Sequence, residues 1–422
     1  MLTRRVIYDF WPAKVGVTFD FLNGQMPSEL TFERSTSGTF VNASGYVATA
    51  GVNSARIDYS PTSVGNALGL LLESSATNLM KRSEEMNTSP WLNAGALKLS
   101  VSQTGSGSPA NDSTSNVVTW VNGSFGGQCY LQQTVDVSGG VAYTWSVWLR
   151  SLGGNTVNVF SLARNAGNSV VGNYEVAVAL GLGTPTATGT NTNSTGSPTQ
   201  SLTQYPNGWW RLVVTATTPA TAATVAFGFS NKDAVPGSGS NGFEAWGFQV
   251  EQRGFATSYV KSTASQGTRA ADLCTLSGSA FAWYDPSACT LLAHGQRKTT
   301  GNFGRLISVN DGSADESLDL GASSSGRFLV RKAAADASDK TAATVAANAR
   351  FKIAAAFASN DAQLCVNGTL ATAETSLVLP TVDRLMIGRQ GGGSPVYLDG
   401  HVEYVRCFPS RESNARLQEL TS

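Results

Sequence analysis

Apolar residues along this 422-residue chain recur mostly with a period of two. In the run Tyr143-Thr144-Trp145-Ser146-Val147-Trp148-Leu149-Arg150, one face carries Trp145, Val147 and Leu149, and the other Thr144, Ser146 and Trp148. That alternation marks a half-buried strand. Trp210, Leu212 and Val214 repeat it, as do Val225, Phe227 and Phe229, and then Trp246, Phe248 and Val250. Nearer the start, Val6, Tyr8 and Phe10 alternate, followed by Val17, Phe19 and Phe21, and Gly69-Leu70-Leu71-Leu72-Glu73 reads as a short buried run. Further strands are predicted at 305–309, 327–331, 351–358, 362–366, 384–387 and 397–408. Asn23-Gly24, Ser44-Gly45 and Asn367-Gly368 are turn signals, the last a hairpin turn that needs positive φ. The polar stretch 181–200 reads as a long surface loop or a distorted hairpin. The one helical signal is the tail 413–420, where Ser413 can cap and Leu417 and Leu420 share a face.

These elements define an all-β protein of two antiparallel β-sandwiches after a small β-rich N-terminal section. The expected division is 1–78, then a jelly roll over 79–272, then a second sandwich over 273–422. Composition agrees, since Gly, Ser, Thr, Asn and Ala dominate, which favours short strands and tight turns over long exposed helices. Charge removes two partner classes. With 29 basic and 29 acidic residues, the chain has no net field to draw it to nucleic acid or an anionic membrane. Met1 to Phe10 lacks the apolar core of a secretory signal, and no run of 18 apolar residues exists to cross a membrane. Cys129, Cys274, Cys289, Cys365 and Cys407 form no CxxC pair, so they read as small buried hydrophobes. A Cys365–Cys407 bridge stays open.

Several segments carry a resemblance. Leu30-Thr31-Phe32-Glu33-Arg34-Ser35-Thr36-Ser37-Gly38-Thr39-Phe40-Val41-Asn42 resembles a segment of phage tail-fibre and head-spike-fibre proteins, and so do Gly45 to Ala50, Asn53 to Tyr59 and Gly69 to Glu73. Tyr143 to Trp148, Asn207-Gly208-Trp209-Trp210-Arg211, Trp246 to Glu251 and Thr268-Arg269-Ala270-Ala271-Asp272 look like that family's later strands and exit segment. The middle section resembles jelly-roll carbohydrate-binding modules. The last is similar to concanavalin A-like, laminin-G-type sandwiches. The resemblance implies a fibre, spike or decoration protein on the outside of a phage particle. It further implies a homotrimer, contacts with other virion proteins, and binding to a host cell-surface glycan. The alternatives are a purely structural capsid or neck decoration protein, and a polysaccharide depolymerase.

Candidate chemistry points away from an enzyme. His294 and His401 lie in apparent strands with no nucleophile-elbow pattern to use them. Asp311, Asp315, Glu316 and Asp319 follow Asn310 at a spacing that suits a polar loop better than two carboxylates across a cleft. Asp311 and Asp315 are also the candidate ligands for calcium, the one cofactor considered. Flat aromatic rings are the usual platforms for the C–H faces of sugars, which selects Trp148 and Trp209, on the face opposite the expected core, and Trp120 between polar turns. The alternative is that these rings pack inside the sandwich or between subunits.

Overall fold

The computed structural model describes residues 16–95, 99–120, 129–153, 156–181, 184–192, 195–231, 242–299, 301–393 and 395–422. The expected strand at Val6, Tyr8 and Phe10 lies outside them. The described chain is nearly all strand, ending in a single α-helix, and forms two sandwiches.

The middle section supplies the first. One sheet runs Thr195–Gln204, Trp210–Thr217, Ala142–Leu152, Gly242–Glu251, Asn116–Trp120, Leu99–Ser102. Its partner runs Thr186–Thr192, Val170–Ala179, Thr156–Arg164, Thr224–Asn231, Cys129–Asp136, Leu92–Gly95. Leaving aside the outer strands and the hairpin Thr156–Arg164/Val170–Ala179, the chain alternates between the sheets as it wraps, which is jelly-roll topology. Most of the period-two residues do what their pattern says, though Trp210 is only half-buried and lies outside the core. Trp145, Val147 and Leu149 share a core with Leu212 and Val214 on the neighbouring strand and with Phe227 and Phe229 on the facing sheet. Burying such rings and branched chains contributes about 1.5–3 kcal/mol each relative to exposure.

Two expectations fail here for local reasons. The stretch read as a long surface loop or a distorted hairpin, 181–200, contains the strand Thr186–Thr192 and much of Thr195–Gln204, which sit at the rims of opposite sheets and do not pair with each other. Edge strands are held by backbone pairing on one side, so they show no apolar alternation, and β-branched Thr suits them. The Trp246, Phe248, Val250 pattern is also interrupted. Gly247 takes φ +65°, and the register between Ala142–Leu152 and Gly242–Glu251 shifts between Ser146 and Trp148. This β-bulge leaves Phe248 and Val250 in the core but turns Trp246 to the other face, against Trp148.

The second sandwich has two antiparallel sheets as well. One runs Thr369–Leu370, Asp361–Val366, Arg350–Ala358, Ala288–Arg297, Gly400–Phe408, Ala67–Leu72, Ile57–Tyr59, with Val17–Asp20 also paired to Gly400–Phe408. The other runs Thr31–Glu33, Leu273–Ser277, Arg384–Ile387, Gly304–Asn310, Ser317–Ala322, Ser325–Lys332, Ala335–Thr344. The described residues of this section, 16–78, are therefore no separate module in the sheets. Phe19, Phe21, Phe32, Ile57, Leu70 and Leu72 share one core with Leu291, Ile307, Phe328 and Val405. The jelly roll is an insertion into this sandwich. The chain leaves through Ala76–Asn78 and returns through Gly267–Arg269, and these two short strands pair with each other.

Smaller features match their signals. Asn367 (φ 46°) and Gly368 (φ 76°) make the two-residue turn joining Asp361–Val366 to Thr369–Leu370. The helix Asn414–Thr421 begins at Ser413, whose hydroxyl accepts from the Arg416 amide at 3.2 Å, and buries Leu417. Cys274, Cys289, Cys365 and Cys407 are free and buried, which closes the question of a Cys365–Cys407 bridge. Cys365 sits in the cluster under the terminal helix and Cys407 in the main core, with strand backbone between them. Burial raises the Cys407 and Cys365 thiols above the ordinary range and the Cys289 thiol to about 12, as inert cysteines require.

Candidate functional site: the junction of the two sandwiches

Ionic residues collect where the jelly roll is spliced in. Arg34 follows the strand Thr31–Glu33, Arg56 precedes Ile57–Tyr59, and Glu73 follows Ala67–Leu72. Arg269 ends the returning strand and Asp272 leads into Leu273–Ser277. Lying at strand ends near the neck, these side chains converge although they are far apart in sequence. Arg56 pairs with Glu73 at 2.9 Å and Asp272 at 2.5 Å, and Arg34 pairs with Asp272 at 3.1 Å. Arg269 lies 3.4 Å from Glu73 and 3.8 Å from Asp272, and Lys298 reaches Glu73 at 2.9 Å. The arginine and acid side chains here are at most 1% exposed, so such charges persist only when paired and hydrogen-bonded. Glu73 also accepts from the Ser258 amide at 2.9 Å and hydroxyl at 2.7 Å, and Asp272 from the Glu73 amide at 2.8 Å.

Burial pushes the Glu73 carboxyl up, but Lys298, Arg269 and Arg56 pull harder and hold it well below the usual carboxylate range. Four cations share two carboxylates, leaving an excess of two positive charges. Arg34 and Arg269 register that excess. Burial first, and then the field of Arg56 among the other terms, lower both below the ordinary guanidinium value.

A groove opens beside the cluster. Its wall is the outer face of the jelly-roll sheet, where Arg211, Val213 and Thr215 alternate with the core residues Leu212 and Val214. Thr199, Ser201 and Thr203 stand on the adjoining edge strand, opposite Thr215, Val213 and Arg211. Gly254, Phe255 and Ala256 form one end, and Lys298 and Asn348 come from the second sandwich. The volume is about 430 Å³, within the roughly 300–1,000 Å³ of small-ligand sites. Arg211 is half-buried, and its guanidinium lies 4.5 Å from the Trp148 ring centre. It donates to the Ser146 hydroxyl at 3.0 Å and to the Thr257 carbonyl at 3.1 Å. Among the described residues it makes no ion pair, and its Nε is buried without a hydrogen-bond partner. Behind the groove, Arg211 and Lys298 also line a cavity of about 70 Å³ with Trp148, Tyr205, Asp58 and Ser258. Asp58 is held there by the Val41 amide at 2.6 Å and His401 Nε2 at 2.8 Å.

The residues singled out from sequence fare differently. Trp148 and Trp209 do lie off the jelly-roll core, but they are 1% and 0% exposed, so neither ring offers a free face. They pack with Trp246, Tyr205 and Tyr259 beneath Val41 and Val47 of the hairpin Gly38–Val41/Val47–Ala50. This corrects their reading as sugar platforms: the sheet's second face is covered by the N-terminal section, which the strand pattern cannot reveal. Trp120 ends a strand opposite Leu99, and its side chain is outside the described residues. Asp311 and Asp315 are exposed on a turn, with Asp311 accepting from the Ser313 amide and hydroxyl at 2.8 and 2.6 Å. No set of three His, Cys, Asp or Glu side chains able to hold a metal occurs among the described residues, so the expected calcium pair gains no third acid.

Asp319 is not in that loop. It sits fully buried in the strand Ser317–Ala322, 3.4 Å from Arg305. His294 and His401 are both in strands as expected. Arg211, Lys298, Phe255 and Asn348 were missed. Arg211 alone had a local signal, as a charged residue at an outward position of a strand.

No protein-family profile matches this chain, and neither does any curated protein. Solved structures give distant likenesses. A carbohydrate-binding module, CBM40, of a Ruminococcus gnavus sialidase is 16% identical over 32% of this chain and 84% of the module, with a TM-score of 0.29. NanB sialidase from Streptococcus pneumoniae is 12% identical over 34% of this chain and 26% of its own, at TM-score 0.31. Domain 4 of AbnA, an arabinanase from Geobacillus stearothermophilus, is 9% identical over 40% of this chain and 84% of that one, at TM-score 0.30. These identities and scores are too low to carry an argument about what this chain binds.

Proposed function

We propose that this protein is a non-enzymatic component of the exterior of a phage particle and holds a host-surface glycan in the groove between its sandwiches. One observation carries the glycan part. Between two rigid β-frameworks lies a concave site lined by the hydroxyls of Thr199, Ser201, Thr203 and Thr215, the Asn348 amide and the Phe255 ring. Hydroxyls and an amide match a polyol's donors and acceptors, and a ring offers a face to its C–H groups. No carboxylate lines the groove, whereas hydrolysis by paired acids needs two, so the proposal is retention and not turnover.

The phage assignment rests on the segments around Arg34, Gly45, Arg56, Glu73 and Arg269 that resemble fibre and spike proteins. In the fold, Arg34, Arg56, Glu73 and Arg269 build the junction. A homotrimer contacting other virion proteins belongs to the same proposal. A purely structural decoration protein is the second reading, and the burial of Trp148 and Trp209 favours it.

The test is an array of bacterial-surface glycans probed with the purified chain and with Ser201→Trp, which pushes an indole into the groove from an exposed position. Binding by the native chain that the variant loses, at an unchanged melting temperature, supports the groove. Binding to no glycan, with particles lacking the chain losing stability, moves the assignment to decoration.

A further inference from the structure

Resting on the glycan reading above, we infer that the groove selects an acidic saccharide, whose carboxylate or phosphate oxygens meet Arg211 and Lys298. The lining itself is one-sided in charge, with two cations and no acid. Arg211 is the stronger of the two observations. A half-buried guanidinium normally has a carboxylate partner, because removing it from water is costly. Here it has an aromatic face, the Ser146 and Tyr205 hydroxyls and one carbonyl, and no carboxylate among the described residues. Its planar fork suits a bidentate oxyanion.

Lys298 adds the second, independent part. It belongs to the buried cluster through Glu73, yet it also borders the groove and is 22% exposed. Behind it three arginines face two carboxylates, an excess of one positive charge, and a low-dielectric wall focuses that field into the cleft. Glu73, 2.9 Å from Lys298, is shared with Arg56 and Arg269, and Asp58 in the rear cavity is held by the Val41 amide and His401. An anion entering the groove would therefore supply the missing countercharge, while Thr199, Ser201 and Thr203 contact its hydroxyls.

The experiment uses the full chain. Neutral, uronate-bearing and polyol-phosphate-bearing bacterial polysaccharides are arrayed. The best acidic binder is then titrated calorimetrically beside its carboxyl-reduced or dephosphorylated counterpart. The acidic form should bind at least tenfold tighter, and the preference should weaken several-fold between 50 and 300 mM salt, because exposed charges are screened. Arg211→Gln should abolish the preference. If that variant does not fold, the native chain's acid-versus-neutral comparison and its salt dependence still decide. Equal binding of acidic and neutral forms would overturn the charge assignment and leave the glycan groove standing. Binding to no member of the array would overturn both.

Discussion

Replacing Glu73 by Gln should cost the protein roughly a quarter to a half of a typical domain's stability. The substitution keeps the side chain's size and removes one charge from a site that is 0% exposed. Arg56, Arg269 and Lys298 then lose a partner at 2.9, 3.4 and 2.9 Å, and four cations face Asp272 alone. Breaking a buried pair from one side costs about 3–5 kcal/mol. Lys298 can turn to water, and Arg56 retains Asp272 at 2.5 Å, which argues for the lower end, about 3 kcal/mol. For domains of this size that lowers the melting temperature by about 6–12 °C.

Scanning calorimetry of both forms at pH 7 reads this directly, and repeating it toward pH 3 tests the cause. A carboxylate whose folded pKa is depressed stabilises above its unfolded value and loses that contribution as pH falls. The gap between the two proteins should be full above about pH 4.5. It should shrink beneath that and close once the pH drops below the depressed folded value. Acids with raised values, such as Glu84 and Asp319, are common to both proteins and cancel. A shift under 2 °C at pH 7, or a gap that does not narrow in acid, would refute the account.

Two further predictions concern single residues. His294 is largely buried between Lys352 and Tyr404 on the neighbouring strands, and burial first, then Lys352, lowers it to about 4. Unfolded His protonates near 6.5, so stability should fall as pH drops from about 6.5 toward 4, by about 2 kcal/mol once partial exposure is allowed for. Urea midpoints at pH 7.5 and 4.5 should show His294→Phe losing less than the native chain, and equal losses would contradict this. Gly247→Ala places a Cβ at φ +65°, 3.1 Å from the Trp148 ring, and should destabilise by about 1–3 kcal/mol. An unchanged unfolding curve would mean the bulge is not needed there.

Local physics was legible in the chain. Alternation at Trp145, Val147 and Leu149 marks a strand and its core face because successive side chains point to opposite sides of any strand. Asn367-Gly368 makes its turn, and Ser413 caps its helix, because each acts within a few residues of itself. What tertiary structure alone decided is what covers a face and what meets at a junction. Trp148 and Trp209 look outward from their sheet but are roofed by the hairpin from residues 38–50. Gly247 inserts one residue and turns Trp246 away from the side its alternation implies. The strands Val17–Asp20 and Ala67–Leu72 pair with Gly400–Phe408, more than three hundred residues later, as Val17 does with Cys407, and make the jelly roll an insertion. Arg211 and Lys298 share a groove for the same reason. Pairing across sheets and burial of charge depend on distances in space, and a period along the chain carries no information about which distant residues will close them.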